Sequence, residues 1–402
     1  MPSPLTHHSY KLQKFINDRL YQGRTYWDDD EEKWKLESNW RKLIPYYIFN
    51  YFFVNTLFVG FIVLIFSTMV YIPDALPFES CIIFVLVSLA IPYSIAVDVV
   101  FHFFSSEVLQ IVNWMDEKRD QHFRTQQTKP WKLGSPSIFL HELSNVRQNQ
   151  DVDFIGLVQN ITEIDLAISS IIIPLLLVWG DWDPIHLTVI ILPTFGWPNL
   201  SSNLWVKLIR IVVTFIWGQA IFFNIRCLNI VGLNVLFGYL KLLKRLLSLD
   251  LNHSTMREYK QIYITVNMLE AAIKFLLGIL LGIEFAAIIL GVNVTIMGFR
   301  LGNFPMSLVA SMIAIIGLWG TWVCFIVGCS WYEVSEQMLQ SWRWQVVDSL
   351  NRKDMRKRVK SCRIMTLVAG GIGILDDTIK NTFFHSALTY TANLLLATKN
   401  SF

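Results

Sequence analysis

Phe275–Val294 reads FLLGILLGIEFAAIILGVNV, a run in which Glu284 is the one charged residue. At a helical rise of about 1.5 Å per residue, a run of this length spans about 30 Å, the thickness of a bilayer's hydrocarbon core. In hydrocarbon every backbone N–H and C=O must find its partner within the protein, which a helix provides inside its own segment. The run is therefore the centre of a membrane-crossing helix over about 269–297. Working outward, six more stretches of similar character lie at about 44–71, 80–103, 157–180, 204–232, 305–331 and 377–397. The whole chain agrees: 402 residues, 53% hydrophobic and 16% charged, with a mean hydropathy of +0.43, against roughly 25% charged residues in a soluble domain. The expectation is an all-α polytopic membrane protein with seven transmembrane helices.

Basic residues orient such a chain, because Lys and Arg concentrate in cytoplasmic segments. The amino-terminal tail carries eight between Lys11 and Lys42, and the second connection carries Lys118, Arg119, Arg124, Lys129, Lys132 and Arg147. The fourth runs from Lys241 to Lys260, and the sixth from Arg343 to Arg363 with a cluster at Arg356–Lys360. The alternate connections, about 72–79 and 181–203, carry none, and about 298–304 carries only Arg300. These observations predict a cytoplasmic amino terminus and an extracellular carboxyl terminus. No basic start, short apolar core and small-residue cleavage site mark a signal peptide, so the first apolar stretch is expected to act as its own insertion signal. A G-protein-coupled receptor would place the basic segments on the wrong face, and its DRY and NPxxY motifs are missing. Of four sequons, at Asn160, Asn199, Asn252 and Asn293, only Asn199 falls in a predicted outside loop.

Other chemistries find little support. No HExxH, GxSxG or P-loop occurs, and the eight histidines and five cysteines lack metal-ligand spacing. No enzyme, cofactor or metal site is expected, and without a basic block with interleaved aromatics neither is a nucleic-acid partner. A secondary transporter would show two halves with matching broken helices; no internal repeat is visible. The last apolar stretch is unusual. It holds Lys380, Asn381, His385, Ser386, Thr389, Thr391 and Asn393, polar groups that are costly against lipid and that suit a pore. Asp98, His102, Glu163, Asp165, Lys274 and Glu284 are further intramembrane candidates for function or for pairing inside the bundle.

Residues 329–399 carry a specific resemblance. They contain Cys329-Ser-Trp-Tyr-Glu-Val-Ser-Glu, a basic amphipathic segment with Trp342 and Trp344, Thr366-Leu-Val-Ala-Gly-Gly-Ile-Gly-Ile-Leu, and Thr389-Tyr-Thr-Ala-Asn-Leu-Leu-Leu. This resembles the carboxyl-terminal signature of insect odorant receptors, where a Ser-Glu element, a Gly-Gly turn and a Ser/Thr-Tyr pair occur in that order. The related gustatory receptors, which share the Thr-Tyr ending, are the alternative branch. The loop at about 240–268 is short, whereas the family's shared co-receptor has a large insertion there, so the chain is similar to a ligand-specific tuning subunit. The resemblance implies a heterotetrameric, ligand-gated, non-selective cation channel in the plasma membrane, assembled with co-receptor subunits. It implies four regions: 1–43 cytoplasmic, 44–331 six helices with the ligand pocket, 332–376 a cytoplasmic anchor where subunits touch, and 377–402 the pore-lining helix and extracellular end. The partners are then a small volatile organic ligand, co-receptor subunits, membrane lipid and permeating cations.

Candidate sites follow. Helical spacing puts Ser88, then Ser169, Ile172 and Leu176, then Ile209 and Val213, then Met312 and Ile316 on one face per helix in the outer half, as pocket candidates. Thr389, Asn393 and Ala397 share a stripe on the last helix as pore candidates. The family's narrowest pore point is an apolar pair four residues apart, and matching places it at Asn393 and Ala397. Either the register differs or partner subunits supply the apolar constriction. Gly370, Gly371 and Gly373 allow a backbone break, and Asp376 and Asp377 suit a helix amino end.

Overall fold

The computed structural model describes residues 4–20, 24–48, 51–52, 56, 59–72, 76–123, 154–198, 203–346 and 352–398. Asn199 and the basic residues Arg124, Lys129, Lys132 and Arg147 lie outside them. The amino-terminal region forms α1 (Pro4–Leu20) and a hairpin of β1 (Thr25–Asp28) and β2 (Lys33–Leu36). α2 (Trp40–Tyr47) and α3 (Val59–Tyr71) fall in the first apolar stretch; α4 (Phe78–Ser88) and α5 (Ala90–Phe103) share the second, and α6 (Ser105–Phe123) follows. Next come α7 (Phe154–Trp179), the short α8 (Pro184–Ile191), and the three long helices α9 (Leu204–Leu247), α10 (His253–Arg300) and α11 (Phe304–Gln345). α12 (Arg352–Lys360), a small hairpin of β3 (Val368–Ala369) and β4 (Gly373–Ile374), and α13 (Asp377–Thr398) complete the order. Among the described residues five segments are long and apolar enough to cross a membrane: Glu79–Phe103, Gly156–Phe195, Leu204–Leu247, His253–Arg300 and Phe304–Gln345. α3 is apolar but shorter, and α13 is the polar one.

α9, α10 and α11 hold 44, 48 and 42 residues. At about 1.5 Å per residue they exceed 60 Å, twice a hydrocarbon core. Each runs about a dozen residues or more past the expected apolar span, toward the end of the bundle where the basic residues lie. Asparagines begin all three. Asn203 accepts from the Trp205 N–H at 2.9 Å, and Asn303 accepts from Met306 at 3.2 Å. Asn252 forms a capping box with Thr255 at 2.8 and 2.9 Å. These side chains satisfy donors that the first turn leaves open. The Asn252 sequon is thus a helix cap, and the Asn293 sequon is buried.

At the basic end the helix extensions make a second core. Trp331 is fully buried, lies edge-on to Tyr239 at 5.4 Å, and donates its indole N–H to the Leu236 carbonyl at 3.0 Å. Trp342 packs edge-on against Tyr259 at 5.6 Å, and the Tyr259 hydroxyl donates to the Arg363 carbonyl. Ser335, of the Ser-Glu element, accepts the Met365 N–H at 3.0 Å. The amino-terminal hairpin joins through Tyr10, Trp27 and Trp34, whose rings meet at 4.6, 5.2 and 5.8 Å. Asn113 of α6 holds Trp34 by both its backbone N–H and C=O, each at 2.9 Å.

The Gly-Gly element is a turn pressed onto α10. Leu375 N–H bonds the Leu367 carbonyl at 2.8 Å, and Gly371 and Gly373 have φ of +82° and +117°, which favours glycine. Gly370 donates its N–H to the Lys274 carbonyl at 2.8 Å. A side chain on Gly278, one turn along α10, would strike the Gly370 carbonyl. Asp376 then caps α13 by accepting the Ile379 N–H at 2.8 Å, and Asp377 pairs with Lys380.

Candidate ligand cavity and polar helix face

α4, α5, α7, α9, α10 and α11 line a cavity of about 360 Å³ near the middle of the bundle. Its wall is apolar and aromatic, with Tyr93, Trp217, Phe222 and Trp319 the largest side chains. Besides the hydroxyl and indole groups of those aromatics, Thr162, Asp165, Asn229 and Glu284 are its polar residues. A mostly apolar concave wall with a few placed polar groups is the general form of a small-molecule site.

Two local devices shape the wall. Pro174 inside α7 has no N–H, so the Ser170 carbonyl loses its helical partner; Gln219 of α9 donates to it instead at 2.8 Å. Gly218, beside Gln219, gives Pro174 room, since a Cβ there would overlap the proline ring. α7 and α9 therefore approach closely at a point that also lines the cavity. The second device involves Glu284. Its Oε2 accepts the Thr321 hydroxyl at 3.0 Å, and Oε1 lies where a Cβ on Gly320 would come within 2.5 Å.

Of the eight pocket candidates, Ile316 lines this cavity. Ser88, Ser169, Ile172, Leu176, Val213 and Met312 are buried or half-buried but off its wall. Their neighbours Val87, Leu89, Ile173, Leu177 and Ile313 take the lining positions. Ile209 is 52% exposed on the bundle surface, and on α9 the lining begins deeper, at Trp217. Trp217, Trp319 and the Glu284–Gly320 notch were missed by the spacing argument. Glu284 stood among the intramembrane candidates, as a lone carboxyl in an apolar run; the glycine that houses it gives no such signal.

Toward the end away from the basic residues, Arg210 of α9 clasps the loop after α7. Its guanidinium reaches Asp183 at 2.6 and 3.0 Å, Asp181 at 2.7 Å and the Val178 carbonyl at 3.2 Å. Asp181 stands at φ +61°, and Asp183 is fully buried while capping α8 through the His186 N–H at 2.9 Å. Toward the basic end, Asp98 accepts the Tyr46 hydroxyl, His102 meets the Tyr51 hydroxyl at 3.1 Å, and Glu163 interacts electrostatically with Arg226.

α13 packs through Phe383, which meets Phe285 at 5.0 Å and Phe325 at 5.2 Å. Its other side is exposed on the single chain and includes Asn381, His385, Thr389, Asn393 and Ala397, each four residues from the last. Thr389 donates its hydroxyl back to the His385 carbonyl at 2.9 Å. The three pore candidates thus share an uncovered and mainly polar face.

No protein-family model matches the sequence, and no curated protein matches it. Solved structures do match the fold. The insect olfactory receptor OR5 from Machilis hrabei, in complex with eugenol, superposes with a TM-score of 0.60 at 10% identity, covering 98% of this chain and 97% of that one. The structure of the same receptor described without a ligand gives 0.59 at 10% identity, covering 97% of each. With the helix order, the Gly-Gly turn and the cavity already described, the likeness across nearly the whole length shows that this chain has the insect olfactory receptor fold.

Proposed function

We propose that this chain is a ligand-tuning subunit of an odorant-gated cation channel, binding a small volatile in the cavity and opening a pore lined by α13. The cavity carries this reading. It is apolar, it lies inside the helix bundle, and it occurs in a chain whose fold is that of a receptor solved with eugenol. Burial of a volatile there would supply about 0.8 kcal/mol per CH₂. The exposed polar face of α13 supports the pore role, because Thr389 and Asn393 would be costly against lipid and inexpensive against water. Four such faces around one axis make a wet path, and partner subunits supply an apolar gate that closes by dewetting. The basic segments support a plasma-membrane topology with the amino terminus inside. Residues 332–376 form the cytoplasmic contact between subunits.

The test is co-expression with a co-receptor subunit and a panel of volatiles. Ligand-evoked cation current that depends on this chain is expected; no current from chains shown to reach the surface would overturn the reading. For the pore, Asn393→Lys places a fixed positive charge in the path and is expected to lower single-channel cation conductance. Unchanged conductance and selectivity in surface-expressed channels would remove α13 from the pore at that depth.

A further inference from the structure

The main cavity has a smaller neighbour of about 110 Å³, and Glu284 stands on the partition between them. Tyr93, Asn229, Trp319 and Gly320 share that partition and line both spaces. Glu284 is 8% exposed and lies in the apolar run that opened the sequence reading. Among the described residues its one hydrogen bond is the Thr321 hydroxyl on Oε2. Oε1 occupies the notch left by the missing side chain of Gly320. A carboxyl offers several acceptor positions, and among the described residues the Thr321 hydroxyl takes one of them.

The charges around it are one-sided. Asp165 is a second carboxyl on the wall, and no Lys, Arg or His lines either space among the described residues. Arg226, one turn from Asn229 on α9, is set against Glu163 and is not on the lining. A carboxylate at this depth is expensive unless a cation meets it. A carboxyl on this mainly apolar wall, with no basic side chain beside it among the described residues, is therefore a place where a cationic ligand would be stabilised. Tyr93 and Trp319 on the same partition bring aromatic rings beside the carboxyl, and a positive charge is attracted to a ring face.

We propose that the cavity recognises a volatile amine, with Glu284 as the residue that receives its nitrogen and Gly320 as the residue that makes room for the carboxyl. This rests on the receptor reading given above. An ammonium offers N–H donors and the missing positive charge together, whereas an alcohol offers one O–H and no charge, a hydrocarbon offers no donor, and a carboxylate offers only acceptors and a like charge. The ring-bearing body of the ligand would lie in the larger space, between Trp217 and Phe222.

Four probes of similar shape separate these classes: 2-phenylethylamine, 2-phenylethanol, propylbenzene and phenylacetic acid, applied with shorter and longer alkylamines to cells expressing the chain with a co-receptor subunit. The amines are expected to be the most potent. Glu284→Gln keeps the shape and removes the charge. It should raise the half-maximal amine concentration about tenfold or more, as loss of a charge-assisted hydrogen bond does, and shift the alcohol far less. Should Glu284→Gln fail to reach the surface, Gly320→Ala decides instead, because its Cβ displaces the carboxyl and should reproduce the selective loss. Current evoked by the alcohol or hydrocarbon with none by any amine would overturn the amine assignment and leave the receptor reading intact. So would unchanged amine potency in the variant that reaches the surface. Silence to all probes and to a broad volatile panel, with surface expression verified, would overturn the receptor reading itself.

Discussion

Gly278→Ala should damage the molecule where an alanine in a helix ordinarily helps. An added Cβ at 278 would overlap the Gly370 carbonyl oxygen and lie 2.9 Å from its carbon. Both are backbone atoms, so no side chain can swing aside. Relief requires the turn at 367–375 to withdraw, and that breaks the 2.8 Å hydrogen bond from Gly370 to Lys274. Overpacking costs about 1–3 kcal/mol and the lost hydrogen bond about 0.5–1.5 kcal/mol. The gain in helix propensity returns about 1 kcal/mol. The net is a destabilisation of about 0.5–3.5 kcal/mol. Gly282→Ala, one turn further along the same helix, meets nothing within 4 Å and should be neutral or stabilising by up to about 1 kcal/mol. The two variants are compared by thermal unfolding in detergent, read as loss of the monodisperse species on size-exclusion chromatography. If Gly278→Ala melts at or above Gly282→Ala, the close approach of the turn to α10 is not as described and the reasoning fails.

Other outcomes follow from the same geometry. Arg210→Ala strands the fully buried Asp183 and should cost about 3–5 kcal/mol; pairing it with Asp183→Asn should recover part of the lost melting temperature, and a double variant no more stable than the single one would refute the clasp. Trp331→Phe leaves the Leu236 carbonyl without its indole donor, and a fall in stability of about 1–3 kcal/mol is expected in the same melting assay. The Lys35 ammonium, with the Glu31 N–H, holds the Asp28 carboxyl down at about 2. A carboxylate depressed in this way stabilises the fold above its ordinary value of 3.8 and loses that contribution as pH falls through about 2. The amino-terminal hairpin should therefore be indifferent to Asp28→Asn as a function of pH between about 5 and 8. A difference in the pH profile of melting within that window would count against the assignment.

The apolar stretches were legible because a helix in hydrocarbon must be apolar for its whole span, and the observed helices fall on them. The extensions of α9, α10 and α11 were not, because residues such as Lys241, Lys244 and Arg257 read as loop, yet they ride on helices whose stability comes from Trp331, Trp342 and Tyr259 packed between them. The amino-terminal hairpin was hidden for the same reason: it depends on Tyr10, Trp27 and Trp34 meeting across distant parts of the chain. Helix rotation was the least legible. α7 and α9 are apolar toward lipid as well as toward the interior, so spacing alone does not say which stripe faces in. Ile209 and Ile173 look alike in sequence, and one faces outward while the other lines the cavity. The Gly-Gly turn was readable because its chemistry is local, resting on positive φ and a close backbone approach.

The proline in α7 has a consequence for biogenesis. α7 leaves the ribosome before α9, and until the later helix arrives the Ser170 carbonyl has no N–H at Pro174 to accept from. An unsatisfied backbone group in hydrocarbon costs several kcal/mol. Its donor, Gln219, lies 49 residues further along the chain. A newly inserted α7 is thus held in an unfavourable state until α9 docks, with Gly218 receiving the proline ring as Gln219 reaches the carbonyl. The pairing favours an order of assembly: α7 and α9 should associate soon after α9 is inserted, because that contact relieves the open carbonyl.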